Sequence, residues 1–389
     1  MADYEIPTAE ELIARAEALV PFLREQAAAN KGERRITAET IARVKDAGLF
    51  RVIQPRRYGG YEMSPEVFGE IVTIMGRGDA SMGFVFGVVA VHSFHMAFYD
   101  DRAAQDVWGQ DSSALVGSPY APNGTAVRVE GGYRISGRWP FSSGCDNCEW
   151  NFLGGTIEGE EGPLLQRMYA FLIPRCDAQV VDTWNVVGLQ GSGSKDIEVV
   201  DAFVPEYRVQ RFPIYDPSAH PGTALNQGPL FRAPFMPLFV RSVSSAALGG
   251  LEAMIEHFCG YTADRLNVLS ERVARDPLVQ LALGQARATA EELKGTLRQD
   301  LAEMDRIGRE GRLLSPEEMT LLMLKSTNLP HRCQEAALSL LRAAGANGIR
   351  MDKPLAQIYS DILVIGQHAS NTPAPQAIAL GKIMLEVQD

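Results

Sequence analysis

Apolar residues recur every three to four positions through the first third of the chain, alternate with polar ones through the middle, and return to the helical period afterwards. Thr8 and Glu11 stand at capping-box spacing ahead of Leu12, Ala16, Leu19 and Leu23, which predicts a first helix. Thr37 opens a second, with Ile41 and Val44 facing inward and Gly48 closing it. Ser64 and Pro65 begin a third, whose Phe68, Ile71, Val72 and Met75 form one stripe. Residues 80–99 are apolar almost all round and predict a central helix on which His92, His95 and Tyr99 share a face. That stretch approaches the length of a membrane span, but it holds two histidines and is flanked by Asp79, Asp100 and Asp101, so a buried helix is the better reading.

After about Asp111 the period shortens to two. Val127 and Val129 alternate with polar residues, Gly131-Gly132 turns, and Tyr133 and Ile135 resume the alternation, which describes a hairpin. Strand-like runs follow at 150–156, 168–173 and 196–204, and the Pro- and Gly-rich residues 211–237 read as a linker. Four long helical segments come next, at 239–269, 277–307, 315–344 and 354–385, with Pro373 and Pro375 expected to break or kink the last. The predicted fold class is α+β in three parts: an N-terminal α-helical domain over 1–112, a central β-barrel or sandwich over 113–222, and a C-terminal four-helix bundle over 223–389.

Composition narrows the function classes. A length of 389 residues with 46% hydrophobic residues supports more than one core. The net charge of -11, without a block of Lys or Arg, argues against nucleic acid or an anionic membrane as partner. Five cysteines, an odd number in so long a chain, form no disulfide framework and are expected to be reduced. The first twenty residues are charged and amphipathic, with no apolar leader pattern, so a cytoplasmic setting is expected.

The densest candidate chemistry is SGRWPFSSGCDNCEW at 136–150. It gathers Trp139, Phe141, Ser142, Ser143 and Trp150 at the exit of a predicted strand, which suits a flat aromatic cofactor with hydrogen-bonding edges such as a flavin. Cys145 and Cys148 have CxxC spacing, but they lack a second pair for zinc and follow a strand rather than opening a helix. No metal site is expected, since His92 and His95 also lack carboxylate company. GLQGSGSKD at 188–196 fits neither the dinucleotide fingerprint nor the phosphate loop. It reads either as a turn between strands or as a loop whose amides around Gly193 and Ser194 meet a cofactor closely.

The α–β–α order, the loop 137–144, the run GLQGSGSKDIEVVDAFVPEYRV and the bundle entry RSVSSAALGGLEAMIEHF resemble the acyl-CoA dehydrogenase superfamily over essentially the whole chain. Within it, VAVHSFHMAFYDDRAAQDVWG, SPYAPNGTAVRVEGGYRISGRWPFSSGCDNCEW and a histidine near the C-terminus look like the oxygenase components of two-component flavin-dependent monooxygenases. That branch includes the 4-hydroxyphenylacetate and hydroxylated-steroid-ring hydroxylases. Acyl-CoA dehydrogenases commonly carry a Tyr-Glu-Gly-Thr segment in the last helix; here Tyr359 to Asn371 offers His368 and no glutamate, so that base is missing.

The resemblance implies reduced flavin, FMN or FAD, supplied by a separate NAD(P)H-dependent reductase. It further implies O2, a flavin C4a-hydroperoxide, and a phenolic, indolic or polycyclic aromatic substrate. His368 would accept a hydrogen bond or proton from a phenol. Ser143, or Ser142, would meet flavin N5, while Trp139, Trp150 and Phe141 exclude water. His92 would approach the substrate, with His95, Tyr120, Ser370 and Asn371 as further substrate contacts. Arg241, or the turn at Gly193, Ser194 and Lys195, would reach phosphate. Ser370 stands where some hydroxylases have tyrosine, two residues after the histidine. A homotetramer is implied, and Gly249-Gly250 suits close helix packing. An acyl-CoA dehydrogenase, or an oxygenase acting at nitrogen or sulfur, is the alternative on the same fold.

Overall fold

The computed structural model describes residues 5–212 and 219–387. Five helices come first: α1 (Ala9–Glu33), α2 (Ala38–Asp46), α3 (Pro65–Gly78), α4 (Ala80–Met96) and α5 (Asp101–Trp108). The capping box forms as read, with Glu11 N–H on Thr8 Oγ1 at 3.1 Å and Thr8 N–H on Glu11 Oε2 at 2.8 Å. Every residue of α4 is buried. Glycines let it approach its neighbours: a Cβ on Gly87 would collide with the Ser242 carbonyl, and one on Gly83 with the backbone of Gly76.

The middle of the chain forms one eight-stranded sheet from β1 (Val116–Gly117), β2 (Gly124–Val129), β3 (Gly132–Ser142), β4 (Trp150–Ile157), β5 (Met168–Pro174), β6 (Gln179–Val181), β7 (Lys195–Pro205) and β8 (Val209–Phe212). Its order is β6-β7-β3-β2-β4-β5-β8, with β1 beside β4. The β2–β3 hairpin pairs as expected, Val129 opposite Gly132. The period of two divides the side chains between cores. Trp139, Ile135, Leu153 and Phe171 make the sheet's own core. Phe152, Leu172 and Val116 point the other way, onto Trp108, Tyr99 and Met96.

Six helices follow: α6 (Phe235–Ser244), α7 (Ala246–Ala263), α8 (Pro277–Glu310), α9 (Pro316–Ala344), α10 (Pro354–Gly366) and α11 (Pro373–Met384). Residues 213–218 of the expected linker lie outside the described residues. The rest of it differs from expectation, holding two short turns, Pro221–Ala224 and Pro229–Arg232, and the start of α6. Pro237 does not prevent that start, because first-turn amides have no intrahelical acceptor to lose. The last segment is broken, as its prolines suggested. α10 stops at Gly366, the chain turns through Ala369–Asn371, and Pro373 restarts it as α11.

Candidate active site

A cavity of about 450 Å³ lies where α4, the sheet and the bundle meet. α4 contributes Phe84 and Val88, the segment after β1 Ser118 and Tyr120, the exit of β3 Phe141 and Ser143, and β8 Phe212. Trp184, Leu189 and Ser194 come from the loop before β7, Met236 and Phe239 from α6, and Gln367, His368 and Ser370 from the broken last segment. A second concavity, of about 510 Å³ beside Arg102 and Glu206, contains none of the predicted site residues.

His368 owes its place to the helix break. A helix that stops and restarts leaves amides without acceptors. Here the imidazole itself serves as cap: its Nδ1 accepts the Ser370 N–H at 3.1 Å. With Nδ1 accepting, the proton of the neutral ring sits on Nε2. Burial pulls the pKa down to about 4, so the ring is neutral at pH 7. Phe84 meets it edge-on at 5.9 Å.

Opposite stands a chain of hydroxyls. Ser143 Oγ lies 2.8 Å from Ser194 Oγ, which lies 2.8 Å from Ser192 Oγ. The glycine-rich turn that carries Ser192 and Ser194 is folded tightly, with Leu189 at φ +52° and Gly193 at +54°. It is tied to the bundle by Leu189 N–H on Asp361 Oδ1 at 2.6 Å, and Gln357 Nε2 reaches the same oxygen at 2.8 Å. Burial, reinforced by the Asp79 charge, raises the Asp361 pKa to about 7 against those two hydrogen bonds. Trp184 is fastened to this turn through its Nε1–H on Leu189 O at 3.0 Å. Phe141, 67% exposed, meets Trp184 edge-on at 6.3 Å.

Several expectations are corrected by position. Trp139 does not line the cavity; it is fully buried in the sheet core and donates Nε1–H to Gly154 O at 2.6 Å. The cause is a register shift in the β3–β7 pairing between Trp139 and Ser142, with Phe141 at φ +64°. The bulge turns Phe141 and Ser143 to the cavity, while Ser142 points away and donates to Ser118 O at 3.3 Å. Trp150 sits under the Arg208 guanidinium, away from the cavity. Gly193 shapes the turn without lining the cavity, and Lys195 is paired with Asp146 at 2.9 Å.

Arg241 does not line the cavity: it is buried in the bundle against Asp300, which Lys325 also contacts at 3.0 Å, and its Nε and Nη1 have no partner among the described residues. Asn371 is buried too, its Nδ2 on Ile365 O at 2.8 Å, and it staples the break instead of facing the cavity. His92 and His95 lie behind the wall. His92 Nδ1–H donates to Val116 O at 2.6 Å, its Nε2 has no partner among the described residues, and burial lowers its pKa to about 4. His95 is held between Tyr120 and Gln210. Of the expected residues, Tyr120, Phe141, Ser143, Ser194, His368 and Ser370 do converge on the cavity. Sequence reading missed Trp184, Leu189, Phe239 and Asp361; the rare tryptophan just ahead of the glycine-rich run was the available signal for the first.

Comparison with known proteins places this arrangement. Residues 242–373 match the family described as acyl-CoA dehydrogenase, C-terminal domain. A pigment production hydroxylase of Rhodococcus erythropolis is 35% identical over 350 residues, 87% of each chain. The oxygenase subunit HsaA, a flavin-dependent monooxygenase of Rhodococcus jostii, is 31% identical over 94% of this chain and 96% of its own. The crystal structure of 3-HSA hydroxylase from Rhodococcus sp. RHA1 superposes with a TM-score of 0.92 at 28% identity, covering 97% of both chains.

Proposed function

The chain belongs to the flavin-dependent monooxygenase oxygenase subunits built on the acyl-CoA dehydrogenase fold, and from that premise we propose how its residues divide the work. It uses reduced flavin, delivered by a separate NAD(P)H-dependent reductase, and O2 to hydroxylate an aromatic substrate. The residues present fit a flavin: its flat ring needs apolar walls and a polar edge, and Ser143 and Ser194 line the cavity beside Trp184 and Phe141. Reduced flavin, when bound, supplies the activation of O2 that side chains lack. The hydroxyl of Ser143, steadied by Ser194 Oγ at 2.8 Å, would hold the flavin at its N5 edge.

One observation carries the assignment: on the cavity wall, at the break in the last helix, His368 accepts the Ser370 N–H at Nδ1, which puts the proton of a neutral ring on Nε2. The sequence reading allowed His368 to accept a phenol's proton. Its tautomer favours the converse role, donation of Nε2–H to the phenolic oxygen. A donor at that oxygen lowers the pKa of the phenol and favours the anion, whose ortho carbon is electron-rich. The aromatic wall of α4 and α6 keeps water out. An acyl-CoA dehydrogenase is disfavoured, because Asp361, the nearest acid of α10, is buried against the Leu189 amide rather than lining the cavity.

Exposed Ile378, Met384 and Leu385 around α11, with Val268, Leu269 and Leu278, are apolar surface of the kind subunits cover, in keeping with a homotetramer. The five cysteines are unpaired, in keeping with a reducing cytoplasm. The test of function is stopped-flow mixing of the reduced-flavin complex with oxygenated buffer. A long-lived absorbing species, distinct from reduced and oxidised flavin, is expected. Flavin oxidation as fast as in free solution, together with turnover of an acyl-CoA, would point to the dehydrogenase.

A further inference from the structure

We infer that the substrate carries no anionic group other than the phenolic oxygen held by His368. The inference rests on the oxygenase reading and narrows it. Among the described residues that line the cavity there is no Asp, Glu, Lys or Arg. Residues 213–218, which follow Phe212 in the chain, include no lysine or arginine either. The cations beside wall residues in sequence face other partners: Lys195 meets Asp146, Arg167 the Gly162 and Glu160 carbonyls, Arg211 the Gln166 carbonyl and Tyr169 Oη, Arg138 Asp196, and Arg241 Asp300. His368 is itself neutral.

Among the described residues of the wall, the one phenolic hydroxyl, that of Tyr120, is committed as well. Gln210 Nε2 donates to the Phe98 carbonyl at 3.0 Å, which fixes which end of the amide is nitrogen. Gln210 Oε1 then faces His95 Nε2 at 2.9 Å, so His95 Nε2 carries the proton and Nδ1 is bare. Tyr120 O–H, 2.6 Å from that Nδ1, must donate to it. Its hydrogen is therefore turned away from the cavity, and its ring, stacked on Phe212 at 4.6 Å and 14°, offers a face instead. A carboxylate entering here would leave water and find neither a counter-charge nor this hydroxyl proton.

Two ligands separate the cases: 2-(4-hydroxyphenyl)ethanol and 4-hydroxyphenylacetate, which share a ring and chain length and differ in charge. Binding of each to the anaerobic reduced-flavin complex should favour the alcohol by roughly a hundredfold, the cost of stranding a charge. Hydroxylation, expressed as kcat/KM, should show the same preference. Replacing Met236→Arg, which puts a guanidinium into the wall, should narrow the gap about tenfold by improving the acid. Equal affinities in the wild type, or no binding of either ligand, would overturn the inference. Selective binding of the alcohol without any hydroxylation would uphold the charge selectivity and instead sink the oxygenase reading.

Discussion

The helix α4 and the break between α10 and α11 each bring histidine next to the cavity, with opposite results. α4 is regular and wholly buried, and its histidines spend their ring nitrogens on the protein: His92 one of them on Val116, His95 both, on Tyr120 and Gln210. The break is irregular, and there His368 is the cap of a three-residue turn, with its other nitrogen left for the cavity. A regular helix satisfies its own backbone and uses polar side chains to lock neighbours. An interrupted one recruits a side chain to the backbone and orients it in doing so.

That contrast is broken most severely by His368→Ala. Hydroxylation of a phenol should fall about a hundredfold or more while binding of reduced flavin is retained, measured by product formation and flavin titration. Ser143→Ala should be next, accelerating loss of hydrogen peroxide about tenfold, read as uncoupling of flavin oxidation from product. His95→Phe should act on the fold instead. It strands Tyr120 O–H and Gln210 Oε1, costing about 1–3 kcal/mol of stability in a denaturant titration, with kcat changed less than about threefold. A large catalytic loss there would erase the distinction between the two regions.

The smallest effect concerns pH. Asp361 binds its proton more tightly in the fold than in the unfolded chain, so its contribution to stability declines as pH rises from about 4 to about 7. Asp361→Asn keeps an acceptor for Leu189 N–H and should flatten that decline, raising the melting temperature at pH 8 relative to wild type. His92 and His368 work in the other direction. Their depressed values mean that stability present above about 6.5 is lost as pH falls towards about 4.

The helices were legible because their signals are local: Thr8 with Glu11, Ser64 with Pro65, and the prolines that break the last segment all act within one turn. Ser143, Ser194 and His368, which the resemblance singled out, lie on one cavity. Side-chain direction was less legible. Trp139 and Phe141 are two residues apart and should share a face, but a bulge between them sends one into the sheet core and the other to the cavity. Arg241 reads as a ligand for phosphate until α8 supplies Asp300, 59 residues away. Trp184 sits on a loop without periodicity, where its rarity ahead of the glycine-rich run was the one signal, and Asp361 acts through Leu189, 172 residues away, which no pattern in the chain announces.

The most direct measurement is the pH dependence of phenol hydroxylation between pH 5 and 8 in the wild type, in His368→Gln and in His368→Ala. If His368 is a neutral donor, the wild-type rate shows no ionisation near the ordinary histidine value of about 6.5, and glutamine, which keeps an N–H, restores activity well above alanine. A wild-type rate that rises through pH 6.5, with glutamine as inactive as alanine, would make His368 the base and contradict the role assigned to it.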